Sequence, residues 1–276
     1  MTNLINENVT ILIVTFNRSQ LLRRLVDSLT VCESVNSFKI ICSDDCSNSY
    51  HRKKIDRMGF DQVLTGLSNR GLGNNVNKGL LEVNSPYVLL LQDDWILVNK
   101  NCIADAIKIL DTDPSVGMIR FYGDPEGFPL VKKEINGLAY WVADHLSLEY
   151  KESLSNTPRH RVYSDTPHLR RSTIHTTIVG YYSENGGMEE CEMDYENRVD
   201  NQNHFFVAFL SGVRNDCFIH TGKDESFRTG KFRYKLDRLF LFFVEKTNLK
   251  NLSIYSDLRI LYRKFFNFLI RIKILK

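Results

Sequence analysis

Val88-Leu89-Leu90-Leu91-Gln92-Asp93-Asp94-Trp95 is the stretch that decides how this chain is read. Four consecutive apolar residues fit a strand buried on both faces, as in a parallel sheet. The strand runs directly into two adjacent carboxylates, which places negative charge on the rim where α/β sheets bind ligands. Neighbouring carboxylates repel, so the pair needs a cation or water. Hard oxygen donors in that position suit Mg²⁺ or Mn²⁺, which keep coordination positions open for a substrate phosphate. A polar turn after a buried strand is the plainer alternative.

Outward from this junction the chain alternates strand and helix. Residues 9–15 are β-branched and apolar, and Asn17-Arg18-Ser19 opens a helix whose Leu21, Leu22, Leu25, Val26 and Leu29 recur at helical spacing. A second strand, Phe38–Cys42, ends on Ser43-Asp44-Asp45. A helix near 50–58, a weak strand at 61–65, a helix at 72–83 and the strand 86–91 follow. A helix at 101–111 and the strand Val116–Phe121 complete the run. This order predicts a doubly wound, mostly parallel α/β sheet with helices on both faces. Residues 122–180 mix Gly, Pro and aromatics and are expected to add strands and loops over one edge. Further on, 188–201 reads as a helix, 205–210 and 213–220 as strands, and 231–246 and 257–275 as amphipathic helices.

With 276 residues the chain suits one large α/β domain or a domain with an appendage. We divide it into residues 1–228, comprising a nucleotide-binding half (1–121) and an acceptor half (122–228), and a basic tail, 229–276. At 25% charged and 43% hydrophobic its composition is that of an ordinary soluble protein. No stretch reaches the ~18 apolar residues of a membrane span, and no signal-peptide core precedes the first strand. Six scattered cysteines without a CxxC pair read as free thiols of a reducing cytosol rather than a zinc site. The net charge of +3 is unevenly spread. Residues 228–276 hold 13 Lys/Arg against 3 Asp/Glu, a net +10, leaving 23 against 30, a net −7, for the rest. Such a split points to an anionic partner for the basic segment.

Four further signals carry chemistry, each with an ordinary structural alternative. Thr15-Phe16-Asn17-Arg18 and Asp44-Asp45 both close strands on the ligand-binding rim. There an Asp can accept from a base N–H or a ribose hydroxyl, or simply cap a turn. Asn69-Arg70-Gly71-Leu72-Gly73 is a tight loop before a helix N-terminus, a phosphate-binding geometry, but it is not a Walker motif. In Glu189–Arg198, Glu192 and Glu196 share a helix face and Asp194–Arg198 is an i,i+4 ion pair, which fits a solvated acidic helix or a cleft-facing general base. His220, at the end of an apolar strand, fits a metal or diphosphate contact or a structural histidine.

In their order along the chain these segments resemble the family 2 inverting glycosyltransferases of the GT-A fold. The resemblance rests on Val9–Arg18 (the strand and T-Y/F-N-R opening), Ser43-Asp44-Asp45-Cys46-Ser47 (D-D-G-S) and Asn69-x-Gly71 with Asn77-x-Gly79. It continues through Leu91-Gln92-Asp93-Asp94 (D-x-D), Leu169-Arg170-Arg171-Ser172, Val179–Glu184 and Glu192-x-Asp194-Tyr195-x-x-Arg198. It covers about residues 8–225. The resemblance implies that Asp44 or Asp45 holds the nucleobase and ribose with Thr15, Phe16 and Arg18, and that Asn69, Gly71 and Asn77 belong to the donor site. It further implies Asp94 as a ligand of Mn²⁺ or Mg²⁺ with His220, Asp93 beside the sugar, and Glu192 as general base. Gln92 stands where the family has the first Asp of D-x-D, and Cys191 where it has Glu, so Glu190 and Asp194 stay open as bases. The donor implied is a nucleotide-diphosphate sugar, UDP favoured, and the acceptor a hydroxyl of a glycan or lipid-linked molecule, as in polysaccharide biosynthesis.

The tail helices each gather one apolar face: Phe232, Leu236, Leu239, Phe240 and Phe243 in the first, and Leu258, Leu261, Tyr262, Phe265, Leu269, Ile272 and Leu275 in the second. Arg259, Arg263 and Lys273 flank the second. Basic, aromatic-rich helices of this kind lie in anionic membrane interfaces, which predicts a cytoplasmic protein peripheral to the inner face of a membrane. Packing on the catalytic domain or within a homo-oligomer is the alternative. No nucleic-acid-binding module accompanies the charge. A nucleotidyltransferase would show a glycine-rich loop after the first strand, and Thr15–Arg18 has none. A non-catalytic sugar-nucleotide-binding module is the other rival reading.

Overall fold

The computed structural model describes residues 6–32, 35–121, 129–156, 162–210 and 217–222. Chain contacts divide the protein into Met1–Thr221 and Gly222–Lys276, and the architecture below belongs to the first unit. The tail helices expected at 231–246 and 257–275 lie outside the described residues, as does 213–216 of the strand expected at 213–220.

The first half runs β1 (Asn6–Thr15), α1 (Ser19–Thr30), β2 (Phe38–Asp44), α2 (Ser49–Ile55), β3 (Gln62–Thr65), α3 (Leu72–Leu80), β4 (Tyr87–Gln92), β5 (Trp95–Leu97), α4 (Cys102–Thr112) and β6 (Val116–Arg120). The second half adds β7 (Leu130–Ile135), β8 (Leu138–Ala143), α5 (Leu148–Asn156), β9 (His168–Arg171), a π-helical turn (Ile174–Ile178), α6 (Met188–Asn201), β10 (Phe206–Phe209) and β11 (Phe218–His220). One sheet has the order β3-β2-β1-β4-β9-β6-β10-β8-β7, and β11-β5 form a separate pair. β3, β2, β1 and β4 are mutually parallel, as are β6 and β10, whereas β9 is antiparallel to both its neighbours. The expected mostly parallel α/β sheet is therefore present. β9 corrects the expectation for 122–180: instead of lying at an edge, it sits inside the sheet between β4 and β6. Among the described residues of this stretch, only the β7–β8 hairpin extends the edge.

The Ile11–Val14 stretch of β1 is continuously apolar because both of its faces are buried. Ile11 and Ile13 face one core with Leu22, Leu25, Val26 and Leu29 of α1 and Ile103, Ala106 and Ile109 of α4. Leu12 and Val14 face the other with Val76 and Leu80 of α3 and Tyr195 and Val199 of α6. A strand with no polar face reads as a continuous run rather than an alternation. Leu25 is fully buried, so truncation to Ala would cost about 2–5 kcal/mol in lost transfer energy and cavity. This double layer fixes the direction of β1, β2 and β4 and brings their C-terminal ends to one rim. Thr15 pairs with Asp44, and Val14 with Gln92.

Candidate active site

The loop after β1 is built around Asn17, whose φ of 55° is left-handed, a conformation Asn tolerates better than most residues. Its N–H donates to Ser47 Oγ (2.7 Å), and its side-chain oxygen accepts from Asn48 N (2.8 Å). The loops after β1 and β2 are thereby clasped together. The turn aims Arg18 across the rim. Its Nη1 lies 3.3 Å from Asp93 Oδ1 and 3.0 Å from Asp94 Oδ2. Thr15 Oγ1 donates to Asp93 Oδ2 at 2.7 Å. On the other side, β11 pairs His220 with Trp95, sets the two rings 4.7 Å apart at a tilt of 44° and places His220 Nε2 3.3 Å from Asp94 Oδ2. Thr221 N donates to the Asp94 carbonyl at 2.8 Å.

The two carboxylates at the end of β4 thus have different surroundings. Burial pushes the Asp93 carboxyl up to about 7, against the pull of Arg18 and Thr15. Burial opposes ionisation of Asp94 too, but hydrogen bonding and charge from His220, with Arg18, outweigh it and hold that carboxyl below its usual range. Adjacent carboxyls split in this way can take different roles. The cation that the sequence required for the pair is supplied in part by Arg18.

A divalent ion is the group the resemblance implies for this place, and the residues fit it in part. Asp94 Oδ1 is buried without a hydrogen-bond partner, an acceptor free for a ligand, and the His220 imidazole stands beside it. Among the described residues no group of three or more His, Cys, Asp or Glu gathers as a metal site. Two donors suit an ion whose shell is completed by water and substrate phosphate, as Mg²⁺ and Mn²⁺ sites often are.

The β2 carboxylates are committed to the protein. Asp44 is fully buried and accepts from Ser47 N (3.0 Å) and, through a short contact, from Ser47 Oγ. Lys78 Nζ donates to the Asp44 carbonyl at 2.7 Å. Asp45 accepts from the amides of Arg70 and Gly71, both at 2.9 Å. It ties the loop holding Asn69 and Gly71 to the end of β2. Gly71 has φ +87° with open space around it, whereas a Cβ at Gly73 would lie 2.1 Å from the Ser183 carbonyl and 2.9 Å from Cys191 Sγ. One glycine serves the turn and the other the close approach of α3 to the segment entering α6. Phe16 is half-buried and Asn69 exposed on the same rim loops. Asn77 clamps the second segment to α3. Its amide bonds the Tyr182 backbone N and O (both 2.9 Å) and Glu184 (3.1 Å).

On α6 the three candidate bases separate. Glu190 accepts from the Gly187 amide at the start of the helix, and Asp194 is paired with Arg198 at 2.7 Å. Half-buried Glu192 instead reaches the segment leading into β9, its Oε1 accepting from Asp165 N (3.2 Å) and Ser164 Oγ (3.4 Å). Because Leu90 pairs with His168, that segment arrives where β4 ends. Thr15, Arg18, Asp44, Asp45, Asp93, Asp94, His220 and Glu192 are therefore all carried by elements meeting at one rim.

Among residues with no settled role in the sequence, His145 and His168 are buried and bonded to the backbone oxygens of Gln202 (2.9 Å) and Thr166 (2.8 Å). Asp165, Tyr182 and Arg170 form a buried polar network with Tyr163 and Tyr195. Arg170, Tyr182 and Tyr195 belong to segments that carry the resemblance, but that they meet is not legible in the sequence, because they lie apart along the chain.

The profile described as "Glycosyl transferase family 2" matches residues 10–175, more than half of the chain. No curated protein sequence matches it. Among solved structures, S. aureus TarS 1-349 superposes with a TM-score of 0.56 at 17% identity, covering 79% of this chain and 61% of that one. Its complex with UDP-GlcNAc gives 0.55 at 16% identity, covering 84% and 65%. Mannosyltransferase PcManGT from Pyrobaculum calidifontis, in complex with GDP-Man and Mn²⁺, gives 0.52 at 13%, covering 72% and 53%. At these identities the likeness is one of fold, and the chain spans less than two thirds of the length of each. Profile and fold agree with the order of motifs and with the rim they build: the chain belongs to glycosyl transferase family 2.

Proposed function

We propose that this chain transfers a glycosyl group from a nucleotide-diphosphate sugar, UDP favoured, to a hydroxyl of a glycan or lipid-linked acceptor, with inversion at the anomeric carbon. Asp94 carries this reading: an ionised, buried carboxylate at the end of β4, held between Arg18 and His220, with one oxygen unpartnered. The family, and neighbours solved with UDP-GlcNAc or with GDP-Man and Mn²⁺, support a nucleotide sugar as donor.

In the reaction the acceptor oxygen bonds to the anomeric carbon as the bond from that carbon to the diphosphate breaks. The hydroxyl proton passes to Glu192, and the nucleoside diphosphate leaves. A glutamate carboxylate within reach of the acceptor hydroxyl can take that proton as a general base. Thr15, Phe16 and the Asn69–Gly71 loop surround the nucleoside, Asp44 and Asp45 shape that pocket by holding the turn after β2 and the Asn69–Gly71 loop in place, and Asn77 acts by holding the neighbouring segment. Asp93 faces the sugar. Arg18 provides fixed positive charge for the diphosphate. Mn²⁺ or Mg²⁺, when held by Asp94 and His220, would neutralise charge gathering on the leaving group.

Release of nucleoside diphosphate from a panel of nucleotide sugars, with Mn²⁺, tests the reading. Asp94→Asn and Glu192→Gln should each lower turnover by at least about 10²-fold without unfolding the protein. Wild-type turnover in either variant removes that residue's role. Binding without turnover for every donor and acceptor would favour a non-catalytic module.

A further inference from the structure

The segment entering β9 carries a carboxylate to which no role falls in the reading above. Asp165 Oδ1 accepts from the hydroxyls of Tyr163, through a short contact, and of Tyr182 at 3.2 Å. Those two hydroxyls also meet each other. The Tyr182 ring stacks on Tyr195 of α6 with centroids 4.1 Å apart and planes 11° apart, and Tyr195 OH accepts from Arg170 Nη1 at 2.6 Å. The fully buried Arg170 guanidinium lies over both rings, at 5.8 and 5.4 Å. Asp165 is thus fastened by its side chain to two tyrosines, one of them packed on α6, while its backbone N–H is the donor that meets Glu192.

We infer that Asp165 is a positioning residue of the transfer centre, its carboxylate anchoring the segment whose backbone amide orients the Glu192 carboxylate. The inference rests on the reading of Glu192 as general base. Three observations support it. Glu192 accepts from Ser164 and Asp165, adjacent residues of one short segment, so its carboxylate moves with that segment. The anchor consists of hydrogen bonds in a buried site, where a lost partner leaves polar groups unsatisfied. The two carboxylates also sense each other, since burial first and the charge of Glu192 second push the Asp165 carboxyl up. The hydrogen bonds from Tyr163 and Tyr182, and then the buried Arg170 cation, oppose that rise.

An anchor of this kind acts through geometry, and displacing a reacting group by about 1 Å can cost on the order of 10²-fold in rate. Asp165→Ala should therefore lower kcat by about 10²-fold while the KM for the nucleotide sugar is unchanged. Asp165→Asn keeps an oxygen that accepts from both tyrosines and should restore most of the rate. In Asp165→Ala/Glu192→Gln the rate should be that of Glu192→Gln alone, because a misplaced base and an absent one are equivalent. The readout is nucleoside diphosphate release from the nucleotide sugar that the wild type turns over. Wild-type kcat in Asp165→Ala, losses that multiply in the double variant, or an Asn variant as slow as the Ala variant would each overturn the inference. If Asp165→Ala does not fold, Tyr182→Phe removes one anchoring hydroxyl and should lower kcat at constant donor KM; an unaltered kcat there overturns it equally. Full activity in Glu192→Gln would show that the assignment of the base failed, whereas an inactive Glu192→Gln with a fully active Asp165→Ala would show that only the anchor did.

Discussion

Arg18 shows how much a single side chain decides. Its guanidinium, mostly shielded from solvent, is the counter-charge shared by Asp93 and Asp94. A hydrogen bond to a charged group contributes about 1.5–3 kcal/mol. Arg18→Met should therefore raise the donor KM by roughly 10-fold or more and lower the melting temperature; donor titration beside thermal melts reads both, and an unchanged KM would separate Arg18 from the diphosphate. Asp113, remote from the site, is a residue-scale test of stability. Burial works against its ionisation, but Ser115, Tyr140 and Lys133 outweigh it and hold its carboxyl down to about 2 from 3.8. Because the folded value is the lower one, the stabilisation is present above about pH 4 and is lost as pH falls toward about 2. Asp113→Asn should melt below the wild type at pH 7, and the gap should close over that acid window. A gap independent of pH would refute the linkage.

At the scale of elements, the contact between α3 and the segment entering α6 is the tightest device at the site. A Cβ at Gly73 would meet the Ser183 backbone and Cys191 Sγ, and backbone cannot rotate out of the way. Gly73→Ala should destabilise by about 1–3 kcal/mol or more through overpacking, lowering the denaturant midpoint and separating α6 from the rim. An unchanged midpoint would mean that α6 shifts freely. Elements were legible in the sequence wherever their periodicity was strong. α6 runs over 188–201 as expected, while α2 and α3 each stop three residues early. The 122–180 stretch was opaque for identifiable reasons. β9 has only four residues, His-Leu-Arg-Arg, and two of its polar side chains are buried, so no apolar run marks it as an interior strand. β5 spans three residues and exists because β11 pairs with it. The β7–β8 turn did carry a signal, Asn136-Gly137, both residues at positive φ, which is the usual two-residue hairpin chemistry.

For the molecule as a whole, the charge split is the open property. We propose that residues 229–276, with the +10 net charge of 228–276, bring the protein to an anionic membrane surface. No helix among the described residues is long and apolar enough to cross a membrane. Each cation near such a surface contributes about 1 kcal/mol. Replacing Arg259, Arg263 and Lys273 by Gln should weaken co-flotation with anionic vesicles by roughly 10²-fold, while neutral vesicles should bind neither protein. Equal flotation of both proteins, or of neither, would refute a membrane role for the tail.

The sequence by itself determined the strand–helix alternation, the acidic strand ends and the family, because these depend on neighbours within a few positions: burial on both faces makes β1 and β4 continuous apolar runs, and a turn after each strand leaves its polar residues on the rim. Only the tertiary structure decided which of those residues meet. Thr15 and Asp93 stand 78 positions apart, Asp94 meets His220 through a strand pair too short to announce itself, and Asp165 reaches Glu192 from the segment that enters an interior strand. Such contacts follow from strand order and packing on both faces, and these are settled by burying the whole core at once rather than by any local pattern.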